Sequence, residues 1–284
     1  MVDRWLLNLG LFLLVVLLGL AVYYLRTSEP QASAPALTKL KPDDIERARI
    51  LFADGDEVRL QKQGQRWLLV SPVHARTNQA MTRNLLTLAT ANSILRWPAS
   101  ADNLKKYRLD APTLTIWLND AEISVGMEHA FKDARYVLHG NQIHLVSARH
   151  VAPAAYRYRN LLDRRLLEED SQPVAIALPQ HSLQLHNDKW EIQSPDVALT
   201  PDQINAFVDE WRFAYAFAVE PYSGRPVLDR ISLRLQRQGT SEHETLELAI
   251  LSHGPEFVLY RADEGLEYRF TEATGKRLLN IKSE

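Results

Sequence analysis

Hydrophobic and polar residues alternate along much of the chain after residue 47, in short runs that end at turn-forming residues. Alternation with a period of two predicts β-strands with one buried face. Asp54-Gly55 and Asn187-Asp188 each separate two such runs by the two residues of a tight hairpin. The predicted strands flanking these turns, with the strand that follows Gln63-Gly64, are 50–53, 56–62 and 66–70, then 182–186 and 189–193.

One segment shows helical spacing and a clear helix start. Thr200 is a good N-cap residue, Pro201 fits the first helical position, and Gln203 completes a capping box. An apolar stripe follows, which predicts the face of a helix packed on a sheet. Its members are Ile204, Phe207, Val208, Trp211 and Tyr215. The equivalent helix earlier in the chain is predicted over 78–95.

Further strands are predicted after each helix. Leu109-Asp110 and Leu228-Asp229 occupy matching places, and strand-like alternation follows both pairs. The predicted three-stranded meanders cover 123–126, 135–139 and 142–146 in the first part, then 245–251, 256–261 and 266–270 in the second. Antiparallel strands combined with separate helices predict an α+β fold.

The sequence also repeats itself at long range. Trp67 and Trp190 lie 123 positions apart, and the same offset relates Ser71-Pro72 to Ser194-Pro195 and Thr77 to Thr200. A repeat of about 120 residues has the size of a domain rather than of a solenoid unit. We therefore predict two similar α+β domains, 48–167 and 168–284, each a mostly antiparallel sheet covered by one main helix.

The N-terminal residues predict a membrane anchor. Residues 5–25 are apolar apart from Asn8, contain no charge, and are long enough to span a bilayer of roughly 30 Å as a helix. We predict a transmembrane signal anchor over 1–26 and a Pro/Ala/Ser-rich tether over 27–47. The alternative is a cleaved signal peptide ending at Ala34, which Pro35 makes a poor cleavage site. The short N-terminal tail favours an inner-membrane protein whose soluble part is extracytoplasmic, in the periplasm.

The amino-acid composition excludes several classes of function. Thirty-three Lys and Arg nearly balance 35 Asp and Glu, so the net charge of −2 gives no field that would attract nucleic acid. The chain contains no cysteine, which excludes disulfides, thiolate metal sites and a cysteine nucleophile.

Several local motifs resemble those of one bacterial family. Trp67 to Pro72 has the form W-x-L-x-x-P, Tyr107 to Pro112 has the form Y-x-L-D-x-P, and 160–167 reads Asn-Leu-Leu-Asp-Arg-Arg-Leu-Leu. On these residues the chain resembles the domain of unknown function 4340 family over about 48–279. The resemblance implies an anchored envelope protein, near ABC-type transport or gliding-type components, with no established activity. Many members have glycine where this chain has Arg108.

The search for catalytic motifs gives none. The sequence has no Gly-x-Ser-x-Gly nucleophile elbow and no Gly-rich phosphate loop. His139 and His144 flank a hairpin turn and are predicted to lie on its solvent face with Val137, while Tyr136 and Leu138 face the core. We therefore predict no catalytic residue, no metal and no cofactor.

A basic and aromatic cluster at the junction of the two halves is the best candidate for a contact site. Its arginines are Arg157, Arg159, Arg164 and Arg165, which we predict to contact a protein partner or anionic headgroups. The alternative is local neutralisation by Glu168, Glu169 and Asp170.

These observations predict a membrane-anchored protein that binds or scaffolds a partner, in a transport or envelope-assembly complex. One alternative is an extracytoplasmic hydrolase with a site between the halves, built from Asp110, Asp163 and Asp229. Another is a carrier of a small ligand or lipid, which would require an apolar cavity.

Overall fold

The computed structural model describes residues 12–20, 35–193 and 199–280. It confirms the α+β class, because two sheets carry the described strands and helices pack against them. Every strand pair in these residues is antiparallel.

The first sheet has nine strands in the order β4-β3-β2-β1-β6-β7-β8-β9-β5. The strands are β1 (Arg47–Phe52), β2 (Glu57–Gln63), β3 (Arg66–Ser71), β4 (Ala75–Arg76), β5 (Ser93–Pro98), β6 (Leu114–Leu118), β7 (Ala121–Glu128), β8 (Ala134–His139) and β9 (Gln142–Ser147).

The second sheet has eight strands in the order β12-β11-β10-β14-β15-β16-β17-β13. The strands are β10 (Ser171–Ala177), β11 (Ser182–His186), β12 (Lys189–Gln193), β13 (Ala218–Pro221), β14 (Asp229–Arg237), β15 (His243–Ser252), β16 (Glu256–Arg261) and β17 (Leu266–Thr271). Apart from β4, the first sheet has the same order in equivalent places.

Some helices occupy matching places in the two halves: α2 and α6 follow the first three-stranded part, and α4 and α7 follow the last strand. The helices are α1 (12–20), α2 (Gln79–Leu86), α3 (Ala101–Lys106), α4 (Ala148–Val151), α5 (Tyr158–Leu161), α6 (Pro201–Arg212) and α7 (Glu272–Leu279). Short 3₁₀ segments cover Pro42–Asp44, Thr87–Thr90 and Ala152–Ala155. One apolar core cluster runs through both halves and includes Leu85 in α2 and Trp211 in α6.

The N-terminal predictions fall partly outside the described residues. Residues 1–11 and 21–26 of the predicted anchor, and 27–34 of the predicted tether, lie outside them, as does Ser194-Pro195. In α1, large apolar side chains from Phe12 to Leu20 are 40–66% exposed. Among the helices that the structure describes, none has the length and hydropathy needed to cross a bilayer.

The hairpin turn at Asn187-Asp188 and the helix cap at Thr200 were predicted correctly, whereas the turn at Asp54-Gly55 is one residue longer than predicted, because Phe52 pairs with Asp56. Strands β11 and β12 have the predicted bounds on either side of Asn187-Asp188. The Thr200 hydroxyl accepts the Gln203 N–H, and the Gln203 side chain accepts the Thr200 N–H, which completes the predicted capping box. These signals are local, so the tertiary structure does not override them.

The predicted helix over 78–95 was wrong in its second half. Helix α2 ends at Leu86, a 3₁₀ turn follows, and Ser93–Pro98 forms the edge strand β5 on β9. Pairing with β9 gives the backbone of this segment its hydrogen bonds, so the tertiary contact overrides the helical spacing. The predicted stripe of α6 also ends early, because Tyr215 lies beyond Arg212 and is 54% exposed.

The predicted solvent face of the His139–His144 hairpin was also wrong. His144 is only 4% exposed and shares a 2.7 Å hydrogen bond with the Ser93 hydroxyl. Val137, opposite His144, belongs to the main core. Tyr136 on the other face is half-buried and stacks on Tyr107 at 4.0 Å. Because both faces of this hairpin are covered, alternation could not identify the core side.

Arg108 adopts the backbone geometry that glycine usually supplies. Its φ is +54°, two residues after the end of α3, and its N–H bonds to the Lys105 carbonyl. The Leu109 N–H bonds to the Leu104 carbonyl in the same turn. The left-handed turn therefore forms without glycine.

Candidate binding site at the junction of the halves

Arg76 in β4 joins the two halves through buried polar contacts. Its Nε donates to Glu264 at 2.5 Å, and its Nη2 donates to the Tyr268 hydroxyl at 2.9 Å. The same Nη2 donates to the carbonyl oxygens of Arg165 and Leu166 in the connecting segment. The guanidinium of one half therefore holds the second sheet and the connection together.

The charges at this junction stabilise one another. Burial alone would lower the pKa of Arg76, but Tyr268 and the Glu264 carboxylate outweigh burial and raise it. Burial raises the pKa of Tyr268, which keeps its hydroxyl protonated as the donor to Glu264. Burial likewise raises the pKa of Asp163, although Arg76 and the Arg165 N–H oppose that shift. The network is therefore a fixed ionic connection between the halves.

A cleft of about 680 Å³ opens beside this network. Its volume lies within the usual range of ligand sites, roughly 300–1,000 Å³. It is lined by residues from β3, β4, the start of α2, the connecting segment and the second half: Arg66, Leu68, Arg76, Thr77, Asn78, Gln79, Ala80, Arg83, Asp163, Arg165, Glu168, Glu169, Asp170, Tyr215 and Gln238. Four arginines and four carboxylates are included, so the lining is polar and balanced in charge.

Two buried polar atoms of the lining have no hydrogen-bond partner. One is Arg76 Nη1, which lies 3.8 Å from a carboxylate oxygen of Asp163, beyond hydrogen-bond distance. The other is Asp170 Oδ1, whereas Oδ2 of the same side chain accepts Arg66 Nη2 at 2.6 Å. Both atoms are enclosed by the protein and have almost no surface open to the cleft.

A row of exposed aromatic rings borders the cleft. Phe213, Tyr215 and Phe217 are 67%, 54% and 45% exposed, while Ala214 and Ala216 between them are buried. The segment pairs with the connection between the halves, since the Leu166 N–H bonds to the Ala214 carbonyl. That pairing turns the three alternate rings to one side. We call these three residues the aromatic row.

The four predicted contact arginines do not form one free basic patch. Arg157 makes ion pairs with Asp54 and Asp56 and lies 4.0 Å over the Phe52 ring. Its pairing with Asp54 raises the pKa of Arg157 and lowers that of the carboxyl.

The other three predicted arginines have different surroundings. Arg159 Nε donates to the Tyr158 hydroxyl at 3.2 Å. Arg165 pairs with Glu169 at 2.8 Å, one of the local partners that the alternative named. Arg164 lies next to the aromatic row, because its carbonyl accepts the Ala216 N–H. Their role as partner contacts stays a prediction.

The three aspartates of the hydrolase alternative have separate surroundings. Asp163 lies at the Arg76 junction, whereas Asp229 faces His253 at 3.9 Å. Asp110 is exposed at the loop after α3. The cleft lining is also polar rather than apolar, unlike the cavity that a lipid carrier requires.

Two features of the site were missed from the sequence. The run Phe-Ala-Tyr-Ala-Phe over 213–217 is a visible signal of alternation, but Tyr215 also continues the helical spacing of the stripe that ends at Trp211. Arg76 gives no local signal, because its partners lie about 190 residues away.

Comparison with protein-family models, curated proteins and solved structures finds no match. The resemblance to the domain of unknown function 4340 family therefore stays a prediction.

Proposed function

We propose that the chain is a single-pass, membrane-anchored protein that binds or scaffolds a protein partner outside the cytoplasm, in a transport or envelope-assembly complex. The aromatic row is the observation that carries this proposal. Exposed large aromatic side chains are enriched at the centres of protein interfaces, where they supply contact area at a low cost in conformational entropy. Three neighbouring rings give an apolar patch on the order of a few hundred Å², a size that is often functional on a monomer.

The first half supports this assignment by contrast. At the offset of 123 positions, Thr90, Asn92 and Ile94 occupy the places of the aromatic row, and all three are exposed. Asn92 even makes the equivalent backbone bridge, to Ala36. The fold therefore does not require aromatic rings at these positions, which favours a role in contact with another molecule.

Crosslinking from native membranes tests the proposal. The variant combines Phe213→Thr, Tyr215→Asn and Phe217→Ile, which are the residues that the first half carries. We expect the wild-type chain to yield a reproducible crosslinked protein partner. We expect the triple variant to lose at least about tenfold of that yield, because interface aromatic residues often contribute 2 kcal/mol or more each.

A matched control exchanges the opposite positions. Thr90→Phe, Asn92→Tyr and Ile94→Phe should leave the partner yield unchanged. Both variants should keep the wild-type circular dichroism spectrum, since the changed side chains are exposed. Recovery of monomer alone from wild-type membranes, or an unchanged yield with the triple variant, would overturn the proposal.

The anchor is a separate part of the proposal. Apolar residues over 5–25, and the exposed apolar side chains of α1, support insertion in a membrane. We expect the mature chain to retain residue 5 and to stay with membranes after a carbonate wash. A mature chain that begins after Ala34 by intact-mass measurement would contradict the anchor.

The repeat completes the proposal. We propose that the halves are copies of one fold, supported by the shared strand order and by the matching places of α2 and α6.

A further inference from the structure

We infer that a hairpin at one end of the first sheet docks on the phospholipid bilayer that holds the anchor. The hairpin turn lies between β7 and β8, over residues 129–133, and we call it the hairpin tip. This inference rests on the membrane anchor of the proposed function and adds which part of the folded body meets the lipid. The partner contact at the aromatic row, in the second half, is independent of it.

Phe131 projects from the hairpin tip into solvent. It is 95% exposed, more than any other large apolar side chain that the structure describes. Its backbone position is fixed, because the N–H groups of Phe131 and Lys132 both donate to His129 Nδ1, at 3.1 and 3.2 Å. The His129 ring in turn contacts Tyr136 in β8, with 5.8 Å between the ring centres. The tip therefore holds an apolar ring in a fixed place, and moving that ring out of water is favourable.

The second half has a shorter hairpin at the equivalent place. Strands β15 and β16 correspond to β7 and β8 in the strand order, and the turn between them is His253-Gly254-Pro255. Three residues thus replace five, and none of the three is a large apolar residue. The common fold does not require Phe131 or the longer turn, which favours a role in contact with another molecule.

Basic side chains lie at the hairpin tip. Lys132 belongs to it, and Arg149 lies in α4, whose first residue donates its N–H to the Asp133 carbonyl at 3.0 Å. Both cations are exposed, and neither forms an ion pair within the part of the chain that the structure describes. Asp133 is the one carboxylate of the tip, while Glu128 at its base pairs with Arg135. The tip therefore carries an excess of positive charge.

A third cation lies beside the hairpin. Lys106, the last residue of α3, is exposed and lies 5.3 Å over the Tyr107 ring. Tyr107 stacks on Tyr136 at 4.0 Å, and its carbonyl accepts the Met127 N–H, so α3 ends close to the hairpin. An apolar ring among Lys and Arg side chains is the combination that favours binding at an anionic lipid surface.

The chain enters the first half at the same end of the sheet. The Ser93 N–H, at the start of β5, donates to the Pro35 carbonyl at 3.1 Å. Ser93 and Arg135 both pair with Val146 in β9, so they lie two strand spacings apart, about 10 Å. Arg135 is the second residue after the hairpin tip. The tip and the entry point of the chain are therefore neighbours.

The bilayer is within reach of this end. Eight residues, 27–34, separate the predicted anchor from Pro35, and eight residues span at most about 28 Å. Pro35 therefore lies within about 28 Å of the lipid surface, with the hairpin tip roughly 10 Å to its side. Because the anchor makes the docking intramolecular, a contact of modest intrinsic affinity suffices. This linkage favours the lipid over a protein as the occupant.

A fluorescent label at one introduced cysteine tests the inference in the full-length chain, which has no cysteine of its own. Ala130→Cys places an NBD label next to Phe131, and His253→Cys places it in the equivalent hairpin as the matched control. Both labelled chains are reconstituted in vesicles of phosphatidylethanolamine and phosphatidylglycerol. A lipid with a nitroxide on its acyl chain quenches a label that reaches the bilayer.

We expect the nitroxide lipid to quench the label at 130 and to leave the label at 253 unquenched. Phe131→Ser should lower the ratio of docked to free chains, resolved as two fluorescence lifetimes, by about tenfold, because the apolar ring no longer leaves water. Phe213→Ser removes an exposed ring of the aromatic row and should leave this ratio unchanged.

Lys132→Gln tests the contribution of charge. It should lower the same ratio about fivefold in the anionic vesicles and much less in phosphatidylcholine, which carries no net charge. Lys189→Gln, at an exposed position of the second half, is the matched control and should have no effect. Equal losses with Lys132→Gln in both lipids would contradict the role of anionic headgroups.

The outcomes separate this inference from the proposed function. Equal quenching at 130 and 253, or an unchanged ratio with Phe131→Ser, would overturn the docking, while flotation of the chain with the vesicles would still support the anchor. A label at 130 that is shielded in native membranes but unquenched in vesicles of lipid and this chain alone would mean that a protein covers the tip, and would also overturn the docking. Release of the chain from the vesicles by carbonate would contradict both.

Discussion

The two sheets arrange their strands in the same order, yet the halves use equivalent positions for different purposes. In β9 of the first half, His144 bonds to Ser93 within its own half. Tyr268 occupies the matching place in β17 of the second half, but its hydroxyl bonds to Arg76 of the first. The same position, in the strand next to the edge of each sheet, therefore bonds within one half and connects the other half to its neighbour.

The difference shows how a repeated fold can acquire a junction. The strand order depends on hydrophobic alternation and turns, which both halves retain. The junction depends on a few polar residues. At each of these positions the polar residue is present in one half, and the equivalent position of the other half has a different residue. Arg76, for example, corresponds to Leu199 in the second half. Exchanging such residues between the halves changes the specific contacts and leaves the common architecture in place.

Arg76→Leu should have the largest effect, because it places the second-half residue at the junction. Glu264 has a side chain only 7% exposed and would lose its 2.5 Å partner. Removing one member of a buried ion pair commonly costs about 3–5 kcal/mol. We expect a loss of that size in the free energy of unfolding, measured by urea titration.

The double variant Arg76→Leu with Glu264→Leu tests the cause. Because it removes both charges, it should recover most of the lost stability. A loss below about 1 kcal/mol in the single variant would show that the junction is not a stabilising connection.

Trp211→Leu should have the next largest effect. Trp211 in α6 is fully buried, and its Nε1 donates to the Leu278 carbonyl at 3.0 Å. Leu88 occupies the equivalent place in the first half and is also fully buried. The smaller side chain leaves a cavity and an unpaired carbonyl, so we expect a loss of about 2–4 kcal/mol in the free energy of unfolding.

Trp211→Phe separates these two causes. It keeps an aromatic ring in the core and removes the donor, so it should be less destabilising than Trp211→Leu. Equal losses in the two variants would show that the hydrogen bond, rather than the volume, distinguishes the second half.

Much of the fold could be predicted because its signals are local. Asn187-Asp188 is a complete hairpin turn, and Thr200 with Gln203 is a complete capping box. Strand β5 was missed because its place in the sheet depends on β9, about 50 residues away. The face of His144 was misassigned because alternation identifies a buried side only when the other side meets water.

The candidate site was less predictable for the same reason. Charge clustering identified Arg157, Arg159, Arg164 and Arg165, but it cannot show that Arg157 reaches across to Asp54. The pairing of Arg76 with Glu264 joins residues from different halves, and no local sequence pattern near either residue predicts this contact. The aromatic row is visible in the sequence as an alternation of aromatic and alanine residues. The helical stripe of α6 runs directly into it, so the change from helical to strand-like spacing is hard to recognise.

Thr200→Ala tests a cap that differs between the halves. The hydroxyl of Thr200 caps α6, whereas the side chain of Asn78 caps α2. Removing an N-cap side chain typically costs about 1 kcal/mol. We expect that loss in the free energy of unfolding, with Thr200→Asn close to wild type because asparagine already serves in the first half. A loss with Thr200→Asn as large as that with alanine would show that the two caps are not interchangeable.

His144 should give the smallest effect, and one that depends on pH. Burial lowers its pKa from the ordinary value of 6.5, and the nearby charges of His139 and Arg96 act in the same direction. Below pH 6.5 the unfolded chain therefore binds a proton at this residue more readily than the folded chain does. The free energy of unfolding should consequently decrease as the pH falls through the window below 6.5.

The control for this prediction is His144→Asn, which cannot titrate. Unfolding by urea at pH 7.5 and 5.5 should show a smaller decrease in the variant than in the wild-type chain. Tyr268 at the matching place contributes nothing in this window, because burial raises its already high pKa further. An equal decrease in both chains would show that protonation of His144 does not distinguish the first half from the second.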